Sequence, residues 1–189
     1  MSLAQQQYTE FKQVVESFAG FLPKVEALFP VFEKCFAGGN KVLTCGNGGS
    51  AADALHMAEE FIGRYRSNRR SLPAICLSAD ATALTCIGND WGYDAVFSRQ
   101  VEGLGKPGDV LVVFSGSGNS PNLLAAIAAA KKCGMITVSF LGKGGGKAKE
   151  ISDYEITVPT NNTARAQEIH TWIMHVILEY IETVYPVVE

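Results

Sequence analysis

KVLTCGNGGSAADALHMAEEFIGRYR, residues 41–66, decides how the rest of the chain is read. A short apolar run (Val42, Leu43) enters the loop Cys45-Gly46-Asn47-Gly48-Gly49-Ser50. A helical pattern follows, free of proline and of internal glycine until Gly63. A strand that breaks into a glycine-rich turn and then a helix leaves several N–H groups at the helix start without partners. That end also carries partial positive charge, so it suits an anion such as phosphate. Farther along, His56 and Glu60 stand four residues apart on one helical face.

Outward from this stretch, strand–loop–helix units repeat. The spacing predicts a strand at Ala74–Leu77, a short helix through Ile87, a polar turn at Gly88–Gly92 and a helix over Tyr93–Leu104. Asp109–Phe114 is apolar at every position after the first, the mark of a strand covered on both faces of a parallel sheet. It enters Ser115-Gly116-Ser117-Gly118-Asn119-Ser120 and an alanine-rich helix, Pro121–Lys132. Met135–Leu141 reads as a strand, Gly142–Lys147 as a loop, Tyr154–Val158 as a last strand and Ala164–Val184 as a long amphipathic helix. Ahead of all this, Ala4–Ala37 reads as two helices parted near Gly20 and Pro23. Alternating strands and helices predict a parallel α/β sheet, with ligands beyond the carboxyl ends of the strands, where both glycine loops lie.

The 189 residues suit one domain, and 47% hydrophobic with 19% charged residues is a globular composition. A net charge of −3 gives no electrostatic reason for nucleic acid or an anionic membrane as partner. No apolar run has the ~18–20 residues of a membrane span, and MSLAQQQYTEFK lacks the basic-then-apolar order of a signal peptide. The cysteines at 35, 45, 76, 86 and 133 form no CxxC pair and sit in apolar surroundings. They read as buried thiols of a reducing, cytoplasmic compartment.

The first loop lacks the Gly-Lys-Ser/Thr ending of a P-loop. It matches the loose dinucleotide spacing at Gly46, Gly48 and Ala51. The acidic residue due ~20 positions later is replaced by Arg64, Arg66, Arg69 and Arg70, so no nucleotide cofactor is expected. The hydroxyls of the second loop, at the start of a helix, can ring a phosphate without lysine or arginine. On the last helix Gln167, Thr171 and His175 form one inward-facing stripe. Spacing alone leaves open whether His170 or His175 is the functional histidine.

The Cys45–Ser50 run, His56-x-x-x-Glu60 with Gly63–Arg66, Gly88-Asn89-Asp90, the serine loop, and Arg165-x-Gln167-Glu168-x-His170-x4-His175 together resemble the phosphoheptose isomerases of the SIS-domain superfamily. The likeness spans nearly the whole chain. It implies a flavodoxin-like three-layer α/β sandwich around a parallel sheet, preceded by an N-terminal helical segment. Residues 1–189 would form a single SIS domain, with 1–38 contributing to oligomer packing. It also implies a cytoplasmic homotetramer with sites at subunit interfaces. The implied reaction converts D-sedoheptulose 7-phosphate to D-glycero-D-manno-heptose 7-phosphate through an enediol, the first step toward nucleotide-linked heptose for the cell envelope, lipopolysaccharide included.

By position, the resemblance assigns the phosphate to Ser50, Ser115, Ser117 and Ser120. Asn47, Gly48, Gly49, Arg64, Asn89, Asp90, Gly116 and Gln167 line the rest of the substrate. His56, Glu60, Gln167 and His175 would hold one zinc ion per subunit, with Glu60 and His175 also the acid/base pair. Two departures stand out: Ala164 where some members carry aspartate, and Gly116 where threonine is usual. Two rival readings follow from the same superfamily. One is a non-catalytic relative that binds a replication initiator; such relatives lack the glutamate and the late histidine. The other is an isomerase of a different phosphosugar.

Overall fold

The computed structural model describes residues 1–185; the last four positions of the expected 1–189 domain lie outside the described residues. Five strands form one parallel sheet in the order β2-β1-β3-β4-β5. They are β1 (Val42–Gly46), β2 (Ala74–Cys76), β3 (Val110–Ser115), β4 (Ile136–Leu141) and β5 (Tyr154–Thr157). The chain steps outward from β1 to β2, then crosses back to place β3 on the other side of β1. The loops after β1 and β3 therefore splay apart at one point on the carboxyl edge, where open α/β sheets bind ligands.

Period-two alternation of the strands builds the two cores. Val42, Val110, Val112, Phe114, Val138 and Phe140 face a cluster with Phe32, Phe61, Ile173 and Ile177. Leu43, Cys45, Leu111, Val113 and Leu141 face another with Phe97, Val101 and Ile127. The first layer is built by α1 (Leu3–Phe18), α3 (Phe29–Ala37), α4 (Gly49–Ile62) and α9 (Thr163–Val184); the second by α6 (Ser98–Leu104), α7 (Pro121–Lys132) and α8 (Gly146–Ile151). The expected three-layer sandwich is thus the observed one.

Several boundaries differ from the sequence expectation. The second preamble helix is split into α2 (Leu22–Glu26) and α3, with Pro30 in the first turn of the latter, where its missing N–H costs nothing. The expected turn at Gly88–Gly92 is mostly helix. Asp80 caps α5 (Ala81–Trp91) by accepting from the N–H groups of Thr82 and Ala83 at 2.9 and 3.0 Å, and the helix runs on until Gly92 takes φ 83°. The helix expected over Tyr93–Leu104 is a 3-10 turn, Tyr93–Ala95, followed by α6. The glycine loop after β4 is shorter than expected because α8 starts at Gly146. Cys35, Cys45 and Cys76 are buried as expected, but Cys86 is exposed on α5 and Cys133 half-buried. Among the described residues no helix is long and apolar enough to cross a membrane.

His170 belongs to the packing of α9 on the sheet. It is fully buried between Phe114 and Phe140, with Nε2 3.2 Å from the Leu141 carbonyl. Burial lowers its pKa from 6.5 to about 4, only partly offset by that carbonyl. The unfolded chain therefore binds this proton more readily. The group's contribution to stability is complete above about pH 6.5 and lost as pH falls toward 4, by about 3 kcal/mol in all. Denaturant unfolding at pH 7 and pH 5 should show a larger stability loss for the native chain than for His170→Gln. Equal losses would contradict this account.

Candidate active site

The loops after β1 and β3 enclose a cavity of about 270 Å³ floored by Phe114 and Leu123. From the first loop come Asn47, Gly49 and Ser50, where α4 begins; Gly48 precedes it at φ 57°, a conformation suited to glycine. From the second come Ser115, Gly116, Ser117 and Ser120. Ser115 Oγ accepts from the N–H of Gly118 at 3.0 Å and Ser117 Oγ from that of Asn119 at 3.3 Å, so each hydroxyl shapes the loop while its own proton stays available. Ser120 caps α7 without a side-chain hydrogen bond to it, and Pro121 occupies the first turn. Two helix N-termini and several hydroxyls around one polar hollow make an anion site.

The two loops are tied together. Asn47 and Asn122 exchange amide hydrogen bonds, each 2.9 Å, and the Tyr93 hydroxyl also donates to Asn47 Oδ1 at 3.0 Å. Asn122 is buried. The Asn47 oxygen is thus taken up by protein donors, so the side chain that lines the cavity also braces it. Asn122→Ala should raise KM roughly tenfold with little change in kcat, since it loosens the spacing of donors to a remote group. An unchanged KM would show that the loops hold their spacing without it.

A second cluster lies farther along α4. His56 Nε2 is 3.2 Å from Glu60 Oε1, and the His56 and His175 rings meet edge to face at 5.3 Å. Candidate ligand atoms of His56, Glu59 and Glu60 fall within 4.8 Å of one another. Burial, then the neighbouring His56, lower the pKa of His175; Glu60 opposes the shift and Arg66 adds to it. That favours the neutral imidazole, the form that accepts a proton or binds a metal. Tyr65 stacks on His175 at 5.2 Å.

Helices α4 and α9 lie side by side, and the expected stripe on α9 does face inward. An added Cβ at Gly49 would come within 2.4 Å of Gln167 Nε2, Thr171 Oγ1 lies 3.3 Å from Asp53 Oδ1, and His175 touches His56. The helices therefore run in the same direction, with Gln167 at the cavity and His175 two turns on. The structure brings His56, Glu60 and His175 together and leaves Gln167 with the serine loop. Arg64 is exposed, as are Asn89 and Asp90, which bond to each other at 2.7 Å and stand clear of the cavity.

Sequence reasoning passed over four residues here. Glu59 joins the His56 cluster. Thr163 lines the cavity and fills the room over Gly116, whose added Cβ would lie 2.6 Å from the Thr163 methyl. A threonine at 116 has no space beside it. Asn122 is the third. The fourth, Asp53, is pushed up to about pKa 6 by burial, against the Thr171 hydrogen bond and His56, and its Oδ2 is buried without a partner. The inward-facing Thr171 was the signal for Asp53, and the three-residue spacing from His56 on α4 was the signal for Glu59; Asn122 and Thr163 depend on which segments meet in the fold.

The SIS domain family model matches residues 8–142. The chain is similar to the phosphoheptose isomerase of Akkermansia muciniphila, 43% identical over 167 residues, 88% of either chain. It is similar to that of a Nitratiruptor species, 54% identical over 142 residues, 75% of this chain and 76% of the relative. Among solved structures, the phosphoheptose isomerase of Neisseria gonorrhoeae aligns with a TM-score of 0.87 at 36% identity, covering 96% of this chain and 100% of that one. For the Francisella tularensis enzyme the values are 0.89, 30%, 97% and 100%.

Proposed function

This chain belongs to the phosphoheptose isomerases of the SIS-domain family, and from that premise we propose that it converts D-sedoheptulose 7-phosphate to D-glycero-D-manno-heptose 7-phosphate. The observation that carries this reading is one seam, α4 against α9, with an anion cavity at one end and a His/Glu cluster at the other. The seven helical steps along α4 from Gly49 to His56 span about 11 Å, the scale of an extended sugar phosphate.

Ser50, Ser115, Ser117 and Ser120 hold the phosphate, with the N-termini of α4 and α7 facing it. Glu60 takes the proton from C1 of the ketose and gives the enediol; return of a proton at C2 gives the aldose. His175, neutral at rest, relays the proton between the two oxygens. Isomerisation moves protons and a double bond with no net redox change, so no nucleotide is required. His56, Glu60 and His175, with Glu59 beside them, are a nitrogen and oxygen set that fits zinc. When bound, the ion would polarise the substrate carbonyl. Gln167, facing Gly49, serves the substrate end of the seam in its own chain.

We also assign a single domain acting in a cytoplasmic homotetramer with sites at subunit interfaces. In support, α5 has no fully buried residue, Leu84 and Ile87 being only half-buried on the core of their own chain, and it carries the exposed Asn89 and Asp90. A neighbouring copy is what would bring these and Arg64 to a substrate. The product enters heptose supply for the cell envelope. The test is incubation with sedoheptulose 7-phosphate beside shorter ketose phosphates, following aldose formation. Turnover of the seven-carbon substrate is expected. Turnover of another phosphosugar alone, or none with folded, zinc-supplemented protein, would overturn the assignment.

A further inference from the structure

We propose that Glu182 is a positioning residue for the reaction: its buried carboxylate, paired with Arg69, holds the 65–67 loop so that Tyr65 seats the His175 ring against Glu60. The inference rests on the reading of Glu60 and His175 as the acid/base pair.

Glu182 lies on α9 two turns beyond His175. Its Oε1 accepts from the N–H of Tyr65 at 2.9 Å and of Arg66 at 3.0 Å, and its Oε2 from those of Arg66 at 3.1 Å and Ser67 at 2.9 Å. Three successive backbone N–H groups thus converge on one carboxylate, a nest that fixes the loop's path. Burial works against the charge, but the N–H groups of Ser67, Arg66 and Tyr65 outweigh it, with help from Arg69, and the carboxyl sits below its ordinary range.

Arg69 supplies the other half of the latch. Its side chain is fully buried, with Nε 3.7 Å from Glu182 Oε1. Its guanidinium donates to the Glu60 carbonyl at 2.6 Å and the Phe61 carbonyl at 2.9 Å, capping the carboxyl end of α4. One ion pair therefore connects the turn of α4 that bears Glu60 to the α9 segment that bears His175. The loop it clasps lays Tyr65 on the His175 ring at 5.2 Å, with the Arg66 guanidinium 5.0 Å from the Tyr65 ring. Among the described residues, the other ring contact to that imidazole is that of His56, which meets it edge to face. The latch makes no contact with the cavity residues, so its effect should fall on the chemical step and not on phosphate binding.

Steady-state kinetics on the full chain test this. Tyr65→Ala should lower kcat roughly 10–100-fold, the cost of a misplaced catalytic group. KM should stay within about threefold of the native value. Tyr65→Phe, which keeps the stacked ring, should restore most of kcat. Glu182→Gln should resemble Tyr65→Ala, and the double variant should fall no further than the lower single, because both act on the same ring. Native kcat in Tyr65→Ala overturns the proposal, as do losses that multiply in the double variant. Should Glu182→Gln fail to fold, the Tyr65 pair alone decides. His175→Ala, measured alongside, separates the premises: if it retains turnover, the acid/base reading fails. If it is inactive while Tyr65→Ala is native-like, only the positioning role fails.

Discussion

Glu60→Gln is expected to lower turnover by roughly 10²–10⁴-fold, the usual contribution of a positioned general base, while the fold and KM remain close to native. The amide matches the carboxylate in shape but cannot take a proton from carbon. The side chain's hydrogen-bond partner is His56, at 3.2 Å, and the stabilising contact at this residue, with Arg69, is made by its backbone carbonyl. Removing the charge therefore leaves the packing of α4 intact. A simple i,i+4 helical pair, the alternative meaning of His56 and Glu60, would be worth only about 0.2–0.5 kcal/mol and would leave the rate untouched. Two measurements separate these meanings: aldose formation at saturating ketose phosphate, and uptake of solvent deuterium into recovered substrate. The variant should lose both. A near-native rate of either would remove Glu60 from the chemistry.

The sheet was legible from sequence because its central strand is unambiguous: Asp109–Phe114 is apolar at every position after the first, as a strand between two helical layers must be. The serine loop was legible for a related reason, since hydroxyls and glycines at a strand–helix junction have few other uses. Helix ends were harder. Gly88 looks like a terminator, yet Asp80 nucleates α5 strongly enough to carry the helix past it, and α8 begins inside a run of glycines that no propensity favours. Within the site, the residues found by spacing share one element, as His56 and Glu60 do, or one stripe, as Gln167, Thr171 and His175 do. Apart from Glu59, which shares α4 with His56 and Glu60, those missed act across elements. Asn122 faces a loop 75 positions away, Glu182 a loop 115–117 away, and Thr163 matters because Gly116 lies beneath it. Tertiary pairing of that kind leaves no periodic trace in one sequence.

Gly118→Ala should be the most damaging single methyl in the molecule outside the catalytic pair. At φ 65° the residue is in the left-handed region, and an added Cβ would lie 1.8 Å from the Gly145 carbonyl oxygen. That oxygen is backbone, held in a turn where Gly145, at φ 92°, is itself left-handed. Relief must come from moving one of the two loops. The Gly118 carbonyl accepts from the N–H of Ala148 at 2.9 Å, and the Gly118 N–H donates to Ser115 Oγ at 3.0 Å. Any shift is therefore passed to the phosphate hydroxyls on one side and to the start of α8 on the other. Left-handed strain and overpacking together give roughly 2–5 kcal/mol of destabilisation. Movement of Ser115 and Ser117 should raise KM more than kcat falls, because the phosphate is remote from the reacting carbons. Gly144→Ala supplies the control: at φ 78° it has the same backbone preference, but an added Cβ would meet nothing within 4 Å. That variant should show only the strain, about 1–2 kcal/mol, with native KM. If the two variants lose equal stability and neither changes KM, the close approach of the serine loop to the glycine turn does not support the phosphate site.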